Sequence, residues 1–181
     1  MHGSTLVYPN PLAYPNQNGD FPNSPIARDF TGPTQHAVYT NDYTTADNVT
    51  GLIYKTCSEG LSGPTCATGA ALTYPWANAV AACTALNSLN AGAGYAGRTN
   101  WRLPNIPELA NIINHQVTTA PKIDVNYFPG TPITVLSNFW SFHVDVAIPT
   151  WSWFVTFHVA GGGFWARTGT SSSYFARCVS N

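Results

Sequence analysis

Apolar residues recur at intervals of three and four along two short stretches, the period of a helix with one buried face. The first runs through Trp76, Ala79, Val80, Cys83 and Leu86. It predicts a helix with Thr73 as N-cap and Pro75 in the first turn, where a missing N–H costs little, and it places Cys83 on the buried face. The second stretch begins near Asn105. Glu108, three residues on, is its capping-box partner, and Ile106, Leu109, Ile112 and Ile113 face inward. Residues 36–56 alternate weakly, with 37–39 and 51–54 as short strands around an Asn/Asp/Thr turn. Residues 57–72 form a Gly/Ser/Thr loop bracketed by Cys57 and Cys66. Beyond Pro121 the helical period is gone, and short strands broken by Pro, Gly, Thr and Ser follow, among them 151–158 and 174–179. In 151–158, Trp153, Val155 and Phe157 share one face and Phe154, Thr156 and His158 the other. Strands at both ends with two helices between them predict an α+β domain.

The start of the chain is different. Pro9, Pro11, Pro15, Pro22, Pro25 and Pro33 lie among Asn and Gly, which excludes a long helix or a central strand. Residues 1–35 therefore read as an extended arm. Its opening, Met1-His2-Gly3-Ser4, reads as a cloning scar, with a natural leader or anchor expected in its place. Residues 36–181 make one ligand-binding domain, and a chain of 181 residues is long enough to bury a core.

Charge narrows the function. Lys and Arg number 7 and Asp and Glu 8, so charged residues are 8% of the chain, against about 25% in an average soluble protein. Too few cations are present to displace counterions from nucleic acid or to hold an anionic membrane, so the only membrane link expected is the missing N-terminal anchor. An apolar content of 44% at low net charge excludes disorder. Solubility must come from Asn, Thr, Ser and Gly, which suits an extracellular or bacterial cell-surface protein. The four cysteines, Cys57, Cys66, Cys83 and Cys178, lack zinc-site and C-x-x-C spacing and read as two disulfides with three open connectivities.

Several segments, in order, resemble the C-terminal domain of the Legionella collagen-like protein, a bacterial surface module. They are Asp47 to Lys55, Tyr74 to Cys83, Trp101-Arg102-Leu103-Pro104-Asn105 with Glu108-Leu109, Phe128 to Pro132, Phe139 to Ser141, Trp153 to Phe157, and Arg177-Cys178-Val179. The resemblance runs from about residue 36 to the end. It implies a C-type-lectin-like fold with two helices and short, mostly antiparallel strands, related to that of formylglycine-generating enzymes. It also implies that a cysteine on the first helix bridges to the last strand, pairing Cys83 with Cys178 and leaving Cys57 with Cys66. Some proteins of this fold are varied by diversity-generating retroelements, which mutate adenines in a C-terminal repeat. The residues Phe142 to Pro149, where the family carries small polar side chains, fit such a segment, whereas Trp165 does not arise from an Asn codon by adenine substitution.

The candidate chemistry is binding. Arg102 reads as scaffold, held by backbone carbonyls or by Glu108. His143, Asp145 and His158 contain metal-ligating types but lack a fourth ligand and a supporting shell, so they read as polar surface positions. The acidic tripeptides of calcium lectins are absent, and no cofactor is implied. Catalysis of the formylglycine-generating type needs a reactive cysteine pair, and all four cysteines read as structural, so the chain is expected not to be an enzyme.

Residues 139–176 hold 11 of the chain's 24 aromatics, with Asp145 and Arg167 their only charged residues. Trp140, Trp153, Val155 and Phe157 fall on framework positions. Phe142, Phe154, Phe164 and Trp165, with His143, Val144, Asp145, His158 and Arg167, make the expected ligand-binding surface, because large apolar residues in loops mark recognition sites. The expected ligand is a protein or other macromolecule, with a glycan bound by an adhesin as the alternative.

Overall fold

The computed structural model describes residues 28–133, 137–158 and 165–181, with Trp165 described by its backbone alone. It is α+β. Four antiparallel strands form one sheet in the order β1 (Phe30–Gln35), β2 (Tyr43–Asp47), β3 (Ile53–Lys55) and β11 (Val179–Ser180). A small ladder pairs β4 (Leu61–Ser62) with β5 (Thr68–Gly69). The second main sheet runs in the order β6 (Thr73–Tyr74), β10 (Tyr174–Phe175), β7 (Asn138–Val144), β8 (Trp151–Thr156) and β9 (Trp165–Gly169). It is antiparallel except where Phe175 meets Phe139 in parallel register. Helix α1 spans Trp76–Ala85 and helix α2 spans Ile106–Asn111.

Helix α2 forms as its signals dictate. The Asn105 side chain accepts from the Glu108 N–H at 2.8 Å, and Glu108 Oε2 accepts from the Asn105 N–H at 2.7 Å. Arg102 adds a bidentate ion pair to Glu108, both bonds 2.7 Å. Burial works to raise the Glu108 carboxyl's pKa, but the Arg102 guanidinium and the Asn105 N–H outweigh it and hold it below the ordinary carboxylate range. In α1 the predicted stripe is correct, with Ala79, Cys83 and Leu86 buried.

Its start is not where propensity put it. Thr73 and Tyr74 pair with Phe175 and Tyr174 as a strand, so Pro75 is the N-cap and Thr73 caps nothing. Residues 37–39 turn instead of forming a strand, because His36 Nδ1 accepts the N–H groups of Val38 and Tyr39. The strand that follows is β2, whose Thr45 and Asp47 are buried. Thr45 donates to the Tyr127 carbonyl, and Asp47 accepts from Val49, Thr50 and Asn111. The end of the proline-rich arm supplies β1, which holds Pro33 on a sheet edge, where a missing donor is tolerated.

The two cores explain why the aromatics are so dense. Neighbouring residues along a strand point to opposite faces. Phe139, Val155, Phe157, Phe175 and Val179 pack with Leu109, Ile112, Ile113 and Phe128 on one side. Trp140, Phe154, Ala176 and Cys178 pack with Ala79, Cys83, Trp101 and Leu103 on the other. Both faces are therefore covered over the middle of the sheet, and Phe154 is only 8% exposed, set against Trp140 and Tyr174. This corrects its assignment to the ligand surface.

Residues 174–179, expected as one strand, cross from one main sheet to the other. Arg177 is buried at the crossing, donating to the carbonyls of Lys55 and Thr56 and to the hydroxyls of Ser58 and Thr131. Its guanidinium lies 5.0 Å from the Phe128 ring, and burial pulls its pKa down to about 9. Two disulfides close the frame, Cys83–Cys178 and Cys57–Cys66. None of the described helices is long and apolar enough to cross a membrane.

Candidate ligand-binding surface

The β7–β8 hairpin outgrows its cover. Trp140 pairs with Phe154 inside the core, then the register shifts, and the ladder resumes only where Val144 meets Ser152. Along and beyond the irregularity the described residues leave the hairpin's outward side chains exposed. Phe142 is 51% exposed, Val146 99%, and Val144, Ile148 and Trp151 are exposed as well. Of the large apolar residues exposed among the described part of the chain, five thus lie within ten consecutive positions.

The hairpin is held from beneath. The Phe142 N–H donates to the Pro104 carbonyl at 2.7 Å, and the Trp76 indole N–H donates to the Ser141 carbonyl at 2.9 Å. His143, exposed, accepts weakly from the Ile106 N–H at 3.5 Å. At the tip, Asp145 is buried and one of its oxygens accepts the N–H groups of Ala147 (2.8 Å) and Ile148 (3.0 Å), an Asx turn. The other accepts from Arg167 of β9. That bond first, with the two loop N–H groups behind it, holds the Asp145 carboxyl below the ordinary carboxylate range. Arg167 stands opposite Trp153 in the ladder, its guanidinium 5.7 Å from the Trp151 ring and 6.0 Å from the Trp153 ring, within cation–π reach.

Of the residues expected at the site, Phe142, His143 and Val144 share the exposed hairpin, and Arg167 joins them through Asp145. Asp145 itself is buried and shapes the loop. Phe154 belongs to the core. His158 follows the far end of β8, separated from Trp151 by roughly 20 Å of extended chain, so the sheet does not bring it to His143 and Asp145. Trp165 opens β9 opposite Val155, also at that far end, and Phe164 lies outside the described residues. Among the described residues no group of three or more His, Cys, Asp or Glu is placed to hold a metal ion.

Sequence reasoning missed Val146, Ile148 and Trp151. A partial signal was available in Asp145, a residue type that favours a turn and so marks Val146 to Ile148 as a hairpin tip.

Residues 43–180 match the family described as the Lcl C-terminal domain. No curated protein matches the chain.

Proposed function

The chain belongs to the Lcl C-terminal domain family, and on that premise we propose that it is a non-enzymatic, cell-surface binding domain of C-type-lectin-like fold. Its ligand, a protein, docks on the exposed end of the β7–β8 hairpin. The observation that carries this reading is the run of five exposed apolar side chains between Phe142 and Trp151, on a loop fixed by Asp145 and Arg167. A rigid loop loses little entropy when it binds, and large apolar side chains supply most of an interface's energy.

The remaining elements agree. A disulfide from the first helix to the segment before the last strand supports the lectin-like assignment and an oxidising location. All four cysteines are paired, which leaves no thiolate for formylglycine-type oxidation. Several outward side chains of the hairpin carry no core packing, as the variable segment of a retroelement-diversified protein requires. A reverse transcriptase gene beside a near-copy of the DNA encoding 139–181, differing at adenines, is the expected genomic arrangement. A locus without either overturns that part.

The binding test uses the double variant Phe142→Ser, Trp151→Ser against arrays of secreted proteins and of glycans, with and without EDTA. The expected result is protein binding by the parent chain, its loss in the variant, and nearly equal melting temperatures. Binding confined to glycans, or surviving in the variant, overturns the proposal.

A further inference from the structure

We infer that Arg167 is the polar anchor of this surface and receives a carboxylate of the protein ligand, from an acidic side chain or a chain terminus, while the adjoining apolar group lies against Trp151. The inference rests on the binding reading above and names what that surface selects.

Arg167 is built for the task. A guanidinium carries five N–H donors in a planar fork, and the Asp145 contact uses a single nitrogen, Nη1. Nε and Nη2 have no partner among the described residues, and the side chain is 41% exposed. The two indole rings of Trp151 and Trp153 hold the fork in place, so little freedom is lost when a ligand binds.

Asp145 does not cancel the anchor. Its carboxylate is shared among the Ala147 N–H, the Ile148 N–H and Arg167, and it is only 5% exposed. The outer edge of the guanidinium therefore remains the accessible charge of the patch, and it calls for an anion. A carboxylate matches the fork in two parallel bonds.

The neighbours choose the source of that carboxylate. Val146 and Ile148, on the loop that Asp145 fixes, are aliphatic and exposed. They leave the hydroxyls of a uronic sugar without partners, a cost that a hydrophobic side chain beside the carboxylate avoids.

The probes are N-acetyl-phenylalanine, its amide, and glucuronic acid, titrated into the whole chain while the Arg167 Nε–H and Trp151 indole signals are followed by NMR. The acid is expected to bind at least threefold more tightly than the amide and to shift both signals. In Arg167→Lys, which keeps a cation for Asp145 but removes the fork, the preference is expected to fall to about one with the Asp145 turn signals unchanged. Equal binding of acid and amide, no shift with either, or a preference that survives in Arg167→Lys overturns the anchor. Glucuronic acid acting as strongly as N-acetyl-phenylalanine overturns the protein source. Acid and amide binding equally at Trp151 sinks the anchor while leaving the apolar surface standing, so the two readings fail separately.

Discussion

Phe142 and Phe154 show how little the side chain alone says about its role. Both are phenylalanines in a strand of the same sheet, and both look like candidates for a binding face. Phe154 lies where Trp140 and Tyr174 cover it, while Phe142 lies within the register shift, half exposed, its ring tilted against Trp76 at 6.4 Å. Phe154→Ser is therefore expected to cost about 3–5 kcal/mol in urea unfolding, the price of a cavity plus a buried hydroxyl. Phe142→Ser should cost less than about 1 kcal/mol. Equal losses would show that the hairpin is core.

Two paired carboxylates set a pH dependence at the same scale. The carboxyls of Asp145 and Glu108 are both held below their ordinary range, so the unfolded chain binds more protons than the folded one on the acid side. Their contribution is complete above the ordinary carboxylate range of about 4 and is lost as pH falls through the lowered folded values. Arg167→Gln removes the main cause of the Asp145 shift. It should reduce the stability lost between pH 5 and acid, read as a shallower fall in melting temperature; an unchanged slope would refute the assignment.

Among the elements, legibility followed locality. Helix α2 could be read in advance because Asn105, Glu108 and Arg102 lie within seven residues and satisfy one another. Asn105→Ala should lower stability by about 1 kcal/mol by circular dichroism, since it leaves helix-end donors unmet, and no loss would mean that the cap is redundant. The start of α1 was misplaced because Thr73 has a distant competitor, Phe175, which takes it into a strand. Strand β2 was invisible to hydrophobic patterning. Its inward residues, Thr45 and Asp47, are polar, and their partners Tyr127 and Asn111 lie far along the chain. The hairpin that carries the candidate site was half legible. Its apolar content stood out, but alternation could not say that the covering layer stops before Phe142.

For the whole molecule, the disulfides act on very different loops. The Cys83–Cys178 bridge spans 95 residues and the Cys57–Cys66 bridge spans 9. In the chain-entropy model these contribute about 4–5 and about 2–3 kcal/mol. Cys83→Ser with Cys178→Ser should accordingly lower the midpoint of denaturant unfolding more than Cys57→Ser with Cys66→Ser. The reverse order would show that the long loop is already held without its bridge, by the two sheets and Arg177.

The sequence by itself determined the α+β class, both helices and their inward faces, the Asn105–Glu108 capping box and the family, because these rest on near neighbours or on ordered motifs. The uneven aromatic content was also plain from the residues. Only the tertiary structure divided it, sending Trp140 and Phe154 to one core, Phe139, Val155 and Phe157 to the other, and leaving Phe142 and Trp151 outside. A strand fixes which residues share a face, but what covers that face comes from segments far away in the chain, and coverage is what separates a core residue from a binding one.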